Sequence, residues 1–170
     1  MTNLESIIAT QQTAADAFKA AAQNVADNLW SVPRAPGKWS PAQVTDHVGI
    51  ATRVAHGAMS GNAKFGSLPR FLRWLPRKLF FDKVLRQGAF PLKGGGPPAF
   101  APATEPMPRA ELYKQLDSEI AAFAALAREM SAAGRTTFEH GFFGTVAIAD
   151  YVRFNALHLD HHREQLPRAT

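Results

Sequence analysis

Apolar residues recur at intervals of three and four along several stretches of the chain, which is the period of an α-helix that buries one face. The first stretch covers residues 3–30 and is rich in alanine. Its apolar positions are Leu4, Ile7, Ile8, Ala15, Phe18, Ala22, Val25 and Leu29. Prolines and a glycine follow within the next ten residues, so we expect a long first helix that ends near residue 30.

The second helix has a clear start signal. Ser40 can cap the helix, Pro41 occupies the first helical position, and Gln43 falls where a capping box needs its second side chain. We expect this helix to run to about Ser60 and to end before Gly61.

Two more helices are predicted near the end of the chain. The third runs from about residue 108 to 133, and Gly134 follows it as a natural terminator. Residues 135–144 are expected to form a loop, and the fourth helix to begin with Thr145 as its N-cap and to end at Leu166.

Four long helices without strand-like alternation predict an all-α fold, a four-helix bundle, formed as a single domain over residues 1–170. A long excursion separates the second and third helices. Its first part, residues 69–87, is basic and aromatic, and we expect one or two short helices there, broken at Pro76. Its second part, from Pro91 onward, is rich in proline and glycine.

The chain has 170 residues, a net charge of +5 and no cysteine, so disulfides and thiolate metal sites are excluded. Residues 1–22 do not resemble a signal peptide, and no stretch is apolar for long enough to span a membrane. We therefore expect a cytoplasmic protein.

Positive charge is concentrated in residues 64–93, which hold eight Lys or Arg and one acidic residue, Asp82. The plainest interpretation is an amphipathic flap whose aromatic residues pack on the bundle and whose charges are solvated. Recognition of an anionic substrate is one alternative, and a polyanion or membrane surface is the other. We expect no nucleic-acid partner.

Three of the six histidines lie within residues 158–162. On a helix, His158 and His162 share one face, within the apolar stripe, and His47 lies in the apolar stripe of the second helix. Burying three unpaired imidazoles costs desolvation unless something uses their lone pairs. We therefore interpret His47, His158 and His162 as ligands of one metal ion, with three structural histidines as the alternative.

Four other residues are candidates for the pocket. His161 lies at the edge of the stripe and could replace His162 as a ligand, because a pair three residues apart also shares a face. His140 either closes over the site or caps its loop. Gln165 either binds a ligand or seals the end of the bundle. Tyr151 falls on the same buried stripe as His158.

Three segments together resemble the DinB/YfiT-like superfamily of metalloenzymes, and most closely a DinB-like branch with no assigned reaction. They are KWSPAQ (residues 38–43) ahead of His47, HGFFG (140–144) and HLDHHREQL (158–166). The resemblance covers nearly the whole chain and implies a four-helix bundle with a divalent metal on His47, His158 and His162. The chain departs from the family at Gly141, where related loops often have proline.

Three neutral imidazoles would leave the cation with an open position, as in catalytic zinc sites. Imidazole suits several metals, and we expect zinc or nickel. The resemblance implies a transferase that uses a small thiol cofactor, and hydrolysis of a small-molecule substrate is equally compatible. No catalytic side chain or general base is apparent, because Asp46 points about 100° away from His47. A non-catalytic metal-binding bundle and a homodimer stay open.

Overall fold

The computed structural model describes residues 4–63, 66–91 and 98–167. Four long helices form the bundle: α1 (Leu4–Gln23), α3 (Pro41–Ser60), α6 (Arg109–Ala132) and α7 (Ile148–Arg163). Helix α1 packs along α7, and α3 packs along α6. The predicted all-α four-helix bundle is therefore confirmed, and α3 begins at the end of the bundle where α7 ends.

The first helix is shorter than predicted, because α1 ends at Gln23 and a separate turn, α2 (Asp27–Trp30), follows. The change of direction buries Val25 and Trp30. The Arg109 guanidinium of α6 lies 4.1 Å from the centre of the Trp30 ring and donates to the Val25 carbonyl at 3.1 Å. Contacts with a distant helix therefore determine where α1 terminates. No proline or glycine lies between Gln23 and Asp27 to signal this end in the sequence.

The start of α3 is as predicted. The Ser40 hydroxyl accepts from the Gln43 N–H at 3.2 Å, and the Gln43 side-chain oxygen accepts from the Ser40 N–H at 3.1 Å. Gly61 ends the helix with a φ of 80°. This cap fixes where the first turns of α3 lie, and the second turn carries His47.

The loop predicted at residues 135–144 is wrong, because these residues begin a hairpin. Strands β1 (Thr137–His140) and β2 (Gly144–Ala147) pair antiparallel, with Phe138 opposite Val146. Both side chains are buried, so the hairpin covers one side of the core. Thr145 lies in β2, and Ala147 is the residue that precedes α7.

The expected end of the fourth helix at Leu166 is also wrong by one turn. Helix α7 ends at Arg163, and a tighter turn follows in which the Gln165 N–H donates to the His162 carbonyl at 3.0 Å. This turn brings the Gln165 side chain back toward the last histidines.

The break predicted at Pro76 is wrong. After a single 3-10 turn (Arg70–Leu72), helical structure runs from Trp74 to Gln87 without interruption. It consists of α4 (Trp74–Pro76), a π-helical turn (Arg77–Phe81) and α5 (Asp82–Gln87). Pro76 lies in the first turn, where its missing N–H breaks no hydrogen bond. The Gly94–Gly96 run falls outside the described residues, and a 3-10 turn at Pro98–Phe100 precedes α6.

A chain of buried amides joins three bundle helices. The Gln11 side chain donates to the Asn155 oxygen at 2.7 Å, and the Asn155 amide donates to the Thr52 hydroxyl at 3.3 Å. All three residues are buried. A slip of α7 along its neighbours would leave these groups unpaired, so the chain fixes the relative positions of α1, α3 and α7.

None of the described helices is both long enough and apolar enough to cross a lipid bilayer.

Candidate metal centre

His47, His158 and His162 meet at the end of the bundle where α3 begins and α7 ends. The Nε2 atom of His158 lies 3.4 Å from Nε2 of His47 and 3.0 Å from Nε2 of His162. The sequence placed these residues on two helix faces, and the structure brings their nitrogens together. These three residues form a cluster that could hold a metal ion.

The spacing suits a small divalent cation. Zinc–nitrogen bonds of about 2.0–2.1 Å in tetrahedral geometry put neighbouring nitrogens roughly 3.3 Å apart, and octahedral geometry puts them nearer 3.0 Å. The observed separations of 3.0 and 3.4 Å fall at these values. Two of the three separations therefore match those around a bound cation, and all three ligand atoms lie within 4.8 Å of one another.

Two of the rings are oriented by hydrogen bonds through their other nitrogen. Nδ1–H of His47 donates to the Phe100 carbonyl at 2.6 Å, and Nδ1–H of His162 donates to the Gln165 side-chain oxygen at 3.0 Å. Each acceptor holds the proton on Nδ1, so Nε2 presents its lone pair to the centre of the cluster.

Burial keeps the three imidazoles neutral. It lowers the pKa of His162 to about 3, with a smaller contribution from the nearby His47. Burial also holds the pKa of His158 well below its usual range, and the other two histidines add to the effect. The pKa of His47 is lowered by burial too, although the Phe100 carbonyl opposes this. Neutral rings at pH 7 are the form that binds a metal.

Asp46 has a position that the sequence analysis did not foresee. Its buried carboxylate accepts from the Ala103 N–H at 2.8 Å. Asp46 and His47 therefore hold residues 100–103, which we name the strap, against the start of α3. The helical wheel placed Asp46 away from His47 but could not show that a distant segment passes there.

Gln165 connects His162 to His161. Its amide N–H donates to Nε2 of His161 at 2.9 Å, while its oxygen accepts from His162. His161 is half-buried, and burial lowers its pKa. The cluster includes His162 and not His161. Gln165 therefore lies next to the cluster, at the end of the bundle.

His140 is the last residue of β1 and its ring lies 5.4 Å from that of Tyr151 on α7, and neither residue belongs to the cluster. His140 accepts the N–H groups of Phe142 and Phe143 at 3.1 and 3.2 Å, and burial lowers its pKa to about 4. Tyr151 is buried two turns before His158, about 10 Å along α7. Burial raises its pKa. The role of both residues in a pocket stays a prediction.

Gly141 is the residue at which the chain departs from related loops. A Cβ atom there would lie 3.2 Å from the Cβ of Ser67, and the Gly141 carbonyl accepts the Leu68 N–H at 3.0 Å. The glycine thus allows the hairpin turn to pack closely against residues 66–68.

Aromatic rings flank the cluster on two sides. The Trp39 ring lies 4.6 Å from the His47 ring, and the Phe90 ring lies 5.1 Å from that of His158. Trp39 belongs to the segment that precedes α3, but Phe90 comes from the excursion and carries no local signal in the sequence. The cluster therefore has an aromatic ring beside His47 and another beside His158.

Most of the chain matches a known protein family. The family model of the DinB superfamily matches residues 10–166. The chain belongs to the DinB superfamily. The DinB match includes all three histidines and most of the length of each bundle helix. No curated protein and no solved structure matches the chain.

Proposed function

We propose that the protein is a metal-dependent enzyme in which His47, His158 and His162 bind one divalent cation, zinc or nickel. The observation that supports this most strongly is the convergence of three Nε2 atoms while two Nδ1 atoms are committed to oxygen acceptors. Without a cation, at most one N–H, that of His158, would be shared among three facing nitrogens. Such an arrangement is costly inside a protein.

The number of ligands favours an enzyme over a structural site. Structural zinc sites usually have four protein ligands, and three ligands leave a position for a substrate or cofactor. The bound cation would supply Lewis-acid activation of a small thiol or of water. We therefore propose a transferase that uses a low-molecular-weight thiol, or a hydrolase, acting on a small molecule.

The surrounding residues have supporting roles in this proposal. Gln165 and the Phe100 carbonyl hold the protons of two ligands on Nδ1. Trp39 and Phe90 exclude water from two sides of the cluster. Their rings favour a substrate with an apolar part, because they offer it no charged partner.

Metal analysis tests the site. Protein purified without a histidine tag should contain one equivalent of divalent metal, and His47→Ala and His158→Ala should each remove it. His56→Ala is the matched control, because His56 lies on α3 outside the cluster. Metal retained in both ligand variants would contradict the proposed centre.

A second measurement separates the possible activities. Cobalt-substituted protein should develop a thiolate-to-metal absorption band when a small thiol is added, and His158→Ala should abolish the band. Turnover of small esters or amides without such a band would favour the hydrolase. Stoichiometric metal with neither result would indicate a metal-binding bundle without catalysis.

A further inference from the structure

Six large apolar side chains are exposed within ten residues of the excursion. Phe71, Trp74 and Leu79 have 74%, 60% and 65% of their surface accessible. The other members are Leu72, Leu75 and Phe80. We name these six residues the apolar patch. Single exposed apolar residues are common, but a contiguous set of this kind marks a contact with a partner or a membrane.

The segment that carries the patch is anchored on its other side. Phe81 and Val84 are buried in contact with the bundle. Arg77 donates to the Thr145 carbonyl, and the Arg73 guanidinium lies 3.5 Å from the Glu139 carboxylate, so both contact the hairpin. The Phe80 ring also lies 5.9 Å from that of Phe154 on α7, so Phe80 forms the inner edge of the patch. The aromatic residues expected to pack on the bundle therefore do so only in part, and the other members of the apolar patch face outward.

Exposed cations accompany the patch. Arg70, Lys78, Lys83 and Arg86 are exposed and have no ion pair within the part of the chain that the structure describes. Asp82, the acidic residue of this segment, lies 3.5 Å from Arg77. The surface thus combines large apolar side chains with several free positive charges.

This combination indicates which partner fits. A second copy of the chain paired through a two-fold axis would bring two sets of unpaired cations into one interface. A nucleic acid would attract the cations and stack on Trp74, but it would leave Leu75 and Leu79 without apolar partners. A bilayer with anionic headgroups provides partners for the apolar side chains and for the cations. The apolar side chains enter the interface, and the cations contact lipid phosphates.

We propose that residues 70–86 dock the protein on the surface of an anionic lipid bilayer. Trp74 and Leu79 insert among the headgroups, and Arg70 and Lys78 contact lipid phosphates. The helical segment lies in the plane of the membrane surface, and the bundle stays in water.

Vesicle flotation tests this docking. The intact protein should bind vesicles of phosphatidylcholine and phosphatidylglycerol in equal parts, and should bind pure phosphatidylcholine vesicles much more weakly. Arg70→Gln/Lys78→Gln should weaken binding to the mixed vesicles roughly 25-fold, because each cation near such a surface contributes about fivefold. Lys114→Gln/Arg135→Gln is the matched control, which removes two exposed cations elsewhere and should bind normally.

The apolar contribution is tested separately. Trp74→Ser/Leu79→Ser should lose binding to the mixed vesicles, whereas Val32→Ser, at an exposed apolar site outside the patch, should not. Trp74, Leu79 and Val32 are all exposed, so the variants should keep the helical circular-dichroism spectrum of the parent. Trp74 fluorescence should shift to the blue on vesicle addition, and the shift should be absent in Trp74→Phe.

Three results would overturn the proposal. The first is no preference for anionic vesicles. The second is equal loss of binding in the cation variant and its matched control. The third is a parent dimer that Trp74→Ser/Leu79→Ser converts to a monomer without any vesicle binding, which would make the patch a self-association surface.

Discussion

Asp46 and His47 are adjacent on α3 and fasten the two ends of the strap. The His47 ring donates to the Phe100 carbonyl at 2.6 Å, and the Asp46 carboxylate accepts from the Ala103 N–H at 2.8 Å. The bond from Asp46 therefore holds the carbonyl that orients His47. Through this arrangement, a buried carboxylate helps to position a histidine of the cluster that it does not touch.

Asp46→Ala is expected to weaken zinc binding roughly 10- to 100-fold, the usual effect of losing support behind a ligand. The strap would no longer be fixed, and the Phe100 carbonyl would not hold the His47 ring in place. Asp46→Asn keeps an oxygen acceptor and should lose much less. Chelator competition measures the affinity, with Asp160→Ala as control. Equal affinity in Asp46→Ala and the parent would show that the strap does not position His47.

Gln165→Leu is expected to reduce zinc affinity by a similar factor, because Nδ1–H of His162 loses its acceptor. Gln165→Glu should retain the affinity, since a carboxylate accepts the same hydrogen bond. Glu164→Ala is a suitable control at the adjacent, exposed position. Chelator competition again gives the affinity, and a Gln165→Leu protein that binds zinc like the parent would exclude an orienting role.

Acid is expected to destabilise the metal-free protein through His140. Burial lowers the pKa of His140 from 6.5 to about 4. Between these two pH values, His140 is protonated in the unfolded chain and neutral in the folded chain. The resulting stability is fully present above pH 6.5 and is lost as the pH falls to about 4. The difference corresponds to about 3 kcal/mol.

Urea unfolding of chelator-treated protein across this pH range measures the effect. His140→Asn, whose side-chain oxygen can accept the same backbone N–H groups, should lose less stability on acidification than the parent. His158 and His162 contribute in the same direction, so part of the dependence should remain in the variant. An identical pH dependence in His140→Asn and the parent would contradict this assignment.

Asn155→Ala is expected to lower the free energy of unfolding by about 2–3 kcal/mol. The change leaves the Gln11 amide buried without its acceptor and removes a donor to Thr52. Urea denaturation measures the loss, and Gln12→Ala on the exposed face of α1 should change stability little. A loss below about 0.5 kcal/mol would mean that water replaces the missing amide.

Local signals were sufficient for part of the fold. The capping box at Ser40 and the terminating Gly61 and Gly134 depend on residues only a few positions apart, and each is found where the pattern placed it. The periodicity of α3 and α7 also placed His47, His158 and His162 on buried faces, which is why the cluster could be predicted.

The misplaced elements depend on contacts between distant residues. Val25 and Trp30 end α1 by packing on α6, and β1 and β2 are too short for their alternation to stand out. The contact between Asp46 and the strap depends on the path of a segment more than fifty residues away. The residues near position 46 therefore could not predict this contact.

The position of the cluster, where α3 begins and α7 ends, has a consequence for how the protein would acquire the proposed ion. The three nitrogens lie where α3 begins and α7 ends, His158 is only half-buried, and the buried amides hold the helices in register from within. We therefore expect metal loading to be separable from folding. We expect one folded chain to be emptied by a chelator and refilled with a different ion, so the metal it carries in a cell would follow supply as well as preference.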